Sequence, residues 1–466
     1  MTLSLFFTAT ILVGVIYGEG YANMALFVSL FFMANAIIWF ALQNHTLKLG
    51  IKESILAVNL LWVLLGVAGA VPLLLYTNVT PASAFFEAIS GFTTTGATVY
   101  TDIELLDKMV LFHRSLMHWL GGMGIIVLGV GLLSLINPTG SLSLFKAEAT
   151  GVQMEKITPK IKHTAMSLWG VYTLLTILDM FLLKLFGMGW FDAINHAFST
   201  ISTGGFSTKN SSLGAFESDG IVWVTTLFML LSGINFLAHL RLFYKDGSGY
   251  GSEEVKWYLT LFILISVLLT LVHADMSGES LYYSLKHSMF SVASIMTTTG
   301  FATVDYAAWS NLAVAVLFVA MLIGGNAGST AGGIKVIRYV IIFKTLFSEF
   351  KRILHPNALL YVFVDGNRLK ERVLSITFGF FVLYMMTVAA LTVYIYARGF
   401  DTMTALSGAL AMVGNIGPGF SKVGPAENFA FFTDLDKMVL SMGMIVGRLE
   451  CYTVFVLFTT AFWKRF

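Results

Sequence analysis

The sequence predicts an all-α membrane protein: an N-terminal helical hairpin, then four helix–re-entrant loop–helix repeats about a pseudo-fourfold axis, with ten transmembrane helices in all. Three observations predict it. Of 466 residues, 57% are hydrophobic and 12% charged, about half the charged share of a soluble domain. Ten apolar runs are long enough to cross a bilayer, which takes about 20 residues. Four short glycine-centred segments recur at spacings of roughly one hundred residues, the kind of internal repetition that transport proteins carry.

The apolar runs fall at roughly 2–18, 21–43, 53–76, 109–136, 165–186, 221–243, 256–273, 311–344, 373–397 and 438–463. The first two make a hairpin turned at Glu19-Gly20. Met1 to Gly18 has no basic start and no small-residue cleavage site after it, so it reads as a retained helix. The other eight runs pair up, and each pair brackets one glycine segment. This divides the chain into a hairpin (1–43) and four repeats (44–137, 138–243, 244–350 and 351–466).

The first glycine segment is Ser90-Gly91-Phe92-Thr93-Thr94-Thr95-Gly96-Ala97-Thr98. Its echoes are Ser202-Thr203-Gly204-Gly205-Phe206, Thr298-Thr299-Gly300-Phe301-Ala302 and Asn415-Ile416-Gly417-Pro418-Gly419. Aligned on Gly96, Gly204, Gly300 and Gly417, each has two residues, a glycine and two more, the shape of a potassium-filter segment. Such a filter replaces a cation's water shell with backbone carbonyls. Turning consecutive carbonyls to one side needs backbone angles that glycine adopts cheaply. Four such loops close one ring, and the expectation is a re-entrant pore loop in each repeat and a potassium-conducting pore.

Each segment follows a short amphipathic stretch, at 81–90, 191–201, 283–296 and 401–413. These are too short to span and suit half-helices that enter the membrane against protein or a water-filled cavity. Pro81 at a first-turn position and Asp401 as an N-cap mark two of the starts. A half-helix that ends just before a filter aims its negative dipole end at the ion.

Orientation follows from the basic residues. Segments 44–53, 137–164, 241–256, 338–372 and 464–466 hold 18 Lys/Arg, whereas the four loops with the glycine segments hold four, against 14 Asp/Glu. The positive-inside rule places both termini in the cytoplasm and the four filters at the outer face. The acidic outer loops would concentrate cations there.

One expected helix is interrupted. Within the run from 311 lies Gly324-Gly325-Asn326-Ala327-Gly328-Ser329-Thr330-Ala331-Gly332-Gly333, followed by Ile334-Lys335. Each of its five glycines costs a helix about 1 kcal/mol relative to alanine. A loop at mid-membrane must line a cavity, so a gate below the filter is one reading and close helix packing through small residues the other. No Gly-Lys-Ser/Thr follows at phosphate-loop spacing.

These stretches, together with His118-Trp119-Leu120-Gly121-Gly122-Met123-Gly124-Ile125 and Thr297-Thr298-Thr299-Gly300-Phe301, resemble the Trk/Ktr/HKT superfamily of potassium transporters in its TrkH branch, over essentially the whole chain. The resemblance implies K⁺ as transported ion, held by carbonyls around Thr94, Thr95 and Gly96, Ser202, Thr203 and Gly204, Thr298, Thr299 and Gly300, and Asn415, Ile416 and Gly417. It implies an intramembrane gating loop at Gly324, Gly325, Asn326, Gly328, Gly332 and Gly333, with Lys335 just after it, and a pore-facing arginine at Arg448. In plant relatives a serine at the first filter glycine goes with sodium permeation, and Gly96 therefore favours potassium. Asn415 and Ile416 replace hydroxyl residues, in agreement with the TrkH pattern. The resemblance also implies a homodimer in a bacterial inner membrane, resting on a cytosolic ring of nucleotide-binding regulatory subunits (TrkA/KtrA-like). No soluble domain is legible here, so that ring is expected as separate chains. Neither an organic cofactor nor nucleic acid is implied, and membrane lipids are the surrounding solvent.

Arg448 and Glu450 sit mid-run, where an ionised side chain costs at least about 2.5–3.5 kcal/mol. Arg448 either opposes cations in the cavity below the filter or forms a static pair with Glu450 or with carbonyls. Lys335 and Arg338 are gate elements or snorkel to the inner interface. Asp179 is a relay carboxylate or a protonated or paired structural group. Glu87 braces its half-helix through Arg114. His113 and His118, five apart, do not share a helix face as an i,i+4 metal pair would. Cys451 is the single cysteine, so no intrachain disulfide forms.

A solute carrier working by alternating access would need helices broken in pairwise positions, and only one break is expected. An enzyme would need a clustered metal set or an activated nucleophile, and neither is legible. A sodium-permeable or cation-coupled variant of the same pore stays open, because selectivity depends on ring dimensions and flexibility.

Overall fold

A computed structural model describes residues 2–43, 50–128 and 161–464. Most of the basic segment 137–164, the end of the fourth apolar run and the boundary between the first two repeats lie outside the described residues. The chain is built of α1 (Thr2–Tyr17), α2 (Ala22–Leu42), α3 (Ile51–Tyr76), α4 (Pro81–Phe92), α5 (Lys108–Leu128), α6 (Ile161–Leu185), α7 (Trp190–Ile201), α8 (Asp219–Ser232), α9 (Phe236–Phe243), α10 (Glu253–Ser277), α11 (Leu281–Met296), α12 (Asn311–Met321), α13 (Val336–Leu354), α14 (Glu371–Ala397), α15 (Thr402–Gly414), α16 (Asp434–Arg448), α17 (Tyr452–Phe455) and α18 (Thr460–Trp463). The all-helical expectation needs one correction. Phe363–Val364 (β1) and Asn367–Arg368 (β2) pair antiparallel, joined by Asp365-Gly366, both at positive φ as a two-residue hairpin turn requires.

The short helices α4, α7, α11 and α15 occupy the centre, and nearly every residue of their last turns is buried. Three start on side-chain caps: Thr80, Ser280 and Asp401 accept from the amides of Ser83, Tyr283 and Thr404, each cap worth about 1 kcal/mol. Around them the long helices turn an apolar face outward. On α10, Ile263, Leu264, Val267, Leu268 and Leu271 are exposed, while Tyr258, Ser266, Thr270 and His273 are buried. That inside-out pattern is what lipid as solvent selects, since it has no partner to offer a polar group. Glu19 anchors the N-terminal hairpin: its carboxylate accepts from the amides of Lys108 (2.7 Å) and Met109 (2.8 Å) at the start of α5.

Among the described residues, five helices (α2, α3, α10, α14 and residues 164–185 of α6) are long and apolar enough to cross a membrane, or seven if two bent pairs each count as one span. The remaining expected spans are short, with 16 residues in α1 and 11 in α12, or diluted by His113, Arg114 and His118 in α5.

The expectation of one interrupted helix also needs correction, because three are interrupted among the described residues. Besides the break between α12 and α13, α8 and α9 bend by 95° and the last helix bends by 111° after α16. The first bend follows from Gly233 and Asn235, whose side chain starts α9 by accepting from the Leu237 amide at 2.8 Å. At the second, Glu450 and Cys451 both adopt positive φ, with Glu450 tied to Arg338. Neither of those two residues is glycine, and the nearest glycine, Gly447, lies in the last turn of α16, where its carbonyl accepts from the Glu450 amide at 3.1 Å. With breaks recurring, the number of broken helices does not speak against a solute carrier.

Candidate functional site

The four short helices end in one turn repeated four times. Thr94, Thr203, Thr298 and Asn415 take φ of 54°, 55°, 58° and 54°, and two residues later Gly96, Gly205, Gly300 and Gly417 take 82°, 85°, 82° and 92°. The residue between donates its amide five residues back: Thr95 to Ser90 (2.9 Å), Gly204 to Ser199 (2.7 Å), Thr299 to Ser294 (2.8 Å) and Ile416 to Ala411 (2.9 Å). The left-handed turn therefore serves as helix C-cap and as the start of the segment that follows. Left-handed β-branched residues are strained by about 1–3 kcal/mol each. Asn415 reaches the same conformation cheaply, so the departure of the fourth segment from threonine is conformationally apt.

These segments touch in cyclic order. A Cβ added to Gly96 would strike the Gly204 carbonyl oxygen, one on Gly205 the Thr299 oxygen, one on Gly300 the Ile416 oxygen, and one on Gly417 would lie 2.5 Å from the Thr95 oxygen. Each segment thus packs a glycine α-carbon on the carbonyl of the next, and the fourth returns to the first. The contacts close a ring of carbonyls from Thr95, Gly204, Thr299 and Ile416.

This ring corrects the alignment of the second segment by one residue. The counterpart of Gly96, Gly300 and Gly417 is Gly205, not Gly204. Gly204 is glycine for a different reason: a Cβ there would run into the imidazole of His118, which stacks on Phe206 at 4.0 Å. Two adjacent glycines made the register ambiguous in the sequence, and the backbone angles resolve it.

Side chains brace the ring from behind. Thr93 and Thr95 share a hydroxyl hydrogen bond of 2.7 Å, as do Thr297 and Thr299, and Asn415 Nδ2 donates to Thr95 Oγ1 at 3.0 Å. Arg114 Nε donates to Glu87 Oε1 at 2.8 Å, with both side chains at most 1% exposed. Glu87 Oε2 accepts from the Val99 amide at 2.8 Å, and Arg114 Nη1 reaches the Ser207 carbonyl at 3.3 Å. The expected brace is therefore present, and it also ties the first glycine segment to the second. A cavity of about 120 Å³ lies against the ring, lined by residues that include Gly96, Gly205, Gly300, Pro418, Arg114, Lys209 and Glu427.

The glycine-rich stretch crosses the end of the ring away from this cavity. Gly332 donates its amide to Thr298 Oγ1 at 2.6 Å and packs against Asn415 and the Gly414 carbonyl. Thr330 Oγ1 donates to the carbonyls of Ile201 (3.1 Å) and Ser232 (3.2 Å). Asn326 donates to the Gly233 carbonyl at 2.8 Å, and Phe236 donates back to Gly328 at 3.1 Å, so the loop is seated in the bend between α8 and α9. Its ends are zipped by Gly324 N to Ile334 O (2.9 Å) and Val336 N to Gly325 O (3.2 Å).

Arg448 meets this loop from α16: Nη1 donates to the Thr330 carbonyl at 2.9 Å, while Nε and Nη2 have no hydrogen-bond partner among the described residues. It does not pair with Glu450, which binds Arg338 instead. Nor do Lys335 and Arg338 snorkel: both are buried, with Lys335 Nζ on the Ala331 carbonyl and Arg338 over the Phe380 ring at 3.6 Å. Asp179 is fully buried within α6, and no ion pair involving it occurs among the described residues. His113 Nε2 contacts the Gly69 carbonyl at 3.1 Å and His118 Nδ1 contacts Ser199 Oγ at 3.2 Å, so the two imidazoles serve separate sites. Among the described residues no group of three metal-ligating side chains occurs.

Gly205 as a ring residue and Glu254 as a loop contact are not among the residues the sequence singles out. The Gly-Gly pair at 204–205 and the Gly233-Ile234-Asn235 breaker were the available signals for the ring register and the loop seat. Nothing local distinguishes Glu254 from an ordinary acid at a helix start.

Residues 21–465 match the family profile described as TrkH, cation transport protein. The chain belongs to the TrkH family. It is 38% identical over 467 residues to the Trk system potassium uptake protein TrkH of Salmonella typhimurium, covering 97% of this chain and 95% of that one. To the Trk system potassium uptake protein TrkG of Escherichia coli it is 34% identical over 440 residues, covering 93% and 90%. Its fold is similar to the crystal structure of the potassium transporter TrkH from Vibrio parahaemolyticus, with a TM-score of 0.89, 34% identity, and 99% and 97% of the two chains covered. The TrkH-family relatives are transporters, and this chain is a membrane ion-transport protein rather than an enzyme.

Proposed function

We propose that this chain is the potassium-translocating pore subunit of a Trk-type potassium uptake system. Its ten spans form four pore repeats after a hairpin, the carbonyls of the four glycine segments bind K⁺ in single file, and residues 324–335 form the gate. One observation carries this reading: the closed cycle of glycine–carbonyl contacts through Gly96, Gly205, Gly300 and Gly417. A ring drawn from four parts of one chain, open to an outer cavity and covered inside by a glycine-rich loop, has the construction that dehydrates a cation and then controls its exit. Arg448 adds a positive charge at the inner mouth, where it opposes a cation until the loop and arginine move together.

The relatives are named as parts of a Trk system, which supports a multi-subunit assembly. We assign this chain a homodimeric state in a bacterial inner membrane, both termini and the 363–368 hairpin inside, with a separate nucleotide-binding ring against the cytoplasmic face. Rubidium uptake into proteoliposomes with sodium as competitor tests the function. Rubidium flux resistant to excess sodium is expected. Equal competition by sodium would favour a sodium-permeable pore, and flux that follows a proton or sodium gradient would favour a coupled one.

A further inference from the structure

The loop that covers the ring is held at both ends by one oxygen atom. Glu254 Oε1 accepts from the Ala327 amide at 2.7 Å and from the Ile337 amide at 3.3 Å. Ala327 lies near the start of the loop, and Ile337 lies in the first turn of the helix that follows it. A carboxylate in the first turn of a helix ordinarily faces its own helix dipole. Here that duty belongs to a neighbour, because Ser252 Oγ caps α10 by accepting from the Val255 amide at 3.4 Å. Glu254 is 9% exposed, and a buried carboxylate persists there because amides from another element satisfy it.

The adjacent residue faces the other way. Glu253 donates its amide to Asp365 Oδ1 at 2.6 Å, and its Oε1 accepts from the Asp365 amide at 3.0 Å. Its Oε2 pairs with Lys344 of α13, whose Nζ also reaches the Phe363 carbonyl at 2.8 Å. Two consecutive glutamates thus connect the β1–β2 hairpin to the gate loop through one helix end. The hairpin is bordered by a groove of about 760 Å³ lined by residues that include Arg352, Arg368, Lys370 and Tyr361, a face that the orientation proposed above turns to the inner side.

We propose that Glu254 is the positioning residue that holds loop 324–335 shut beneath the ring, and that Glu253 makes this hold responsive to displacement of the 363–368 hairpin. This rests on the reading of the loop as the gate. A partner that pulls Asp365 away from the α10 N-terminus would shift the helix end that carries Glu254 and free both amides together.

The test is basal rubidium flux in proteoliposomes of the full chain, with Thr330→Val as a reference for the loop itself. Glu254→Ala leaves two buried amides without an acceptor and is expected to raise basal flux about tenfold. Glu254→Gln keeps an acceptor oxygen in place and is expected to stay near wild type, a rescue that a general structural role would not single out. Asp365→Ala is expected to raise flux less, with the rubidium-to-sodium ratio unchanged. Should Glu254→Ala fail to fold, Glu254→Asp, which withdraws the oxygen by one methylene while keeping the charge, is expected to raise flux. Raised flux in Thr330→Val with none in Glu254→Ala or Glu254→Asp overturns the latch. Raised flux in the Glu254 variants with none in Asp365→Ala overturns the hairpin link. Unchanged flux in Thr330→Val and the Glu254 variants alike removes the gate reading beneath both.

Discussion

Gly417 of the last repeat packs its α-carbon against the Thr95 carbonyl of the first, and this contact between opposite ends of the chain closes the ring. With φ at 92° and an oxygen where a Cβ would go, the position excludes every side chain on two grounds. Gly417→Ala should abolish selective rubidium uptake in protein that still reaches the membrane. Retained selective uptake would mean that the fourth segment does not complete the pathway.

Gly96 is held by the same contact one repeat on, against the Gly204 carbonyl. Gly96→Ser must push that oxygen outward or unwind the turn, which widens the ring on one side. The K⁺/Na⁺ permeability ratio from reversal potentials should fall. An unaltered ratio would place the first segment outside the permeation path.

The two glycines of the second segment separate by double substitution. Gly204→Ala clashes with the His118 ring, so His118→Ala should restore part of the lost flux. Gly205→Ala clashes with the Thr299 backbone and sits at φ 85°, so no change at position 118 should help it. Equal rescue of both variants would contradict the register proposed for the ring.

Arg448 binds the Thr330 carbonyl, and Thr330 binds two carbonyls from the second repeat. Arg448→Ala removes both the charge and the loop contact, and basal rubidium flux should rise at least about tenfold, since a charge-assisted hydrogen bond is worth about 1.5–3 kcal/mol. Arg448→Lys keeps the charge and should rise less. Flux unchanged in well-folded Arg448→Ala would assign the arginine a static role.

The Arg114–Glu87 pair is buried on both sides. Removing one partner strands the other charge, at a cost of about 3–5 kcal/mol. Glu87→Gln should therefore lower the thermal unfolding temperature in detergent, and Arg114→Met should do so as well. The double substitution should recover part of the loss. A Glu87→Gln protein as stable as wild type would show that the backbone contacts alone hold the first segment.

The sequence by itself determined the membrane class, the four half-helices, their left-to-right order and the position of the glycine-rich break. These are local matters of hydropathy, capping and breaker residues, which neighbours a few positions apart decide. Only the tertiary structure decided which of Gly204 and Gly205 joins the ring, that Glu450 binds Arg338 rather than Arg448, that the last helix turns with Glu450 and Cys451 at positive φ, and that Glu254 accepts from the loop. Each depends on which atoms from distant parts of the chain share one small volume: recurring glycines mark the ring, but which of two adjacent glycines meets a carbonyl, and which arginine a carboxylate meets, is decided by residues far away in the chain.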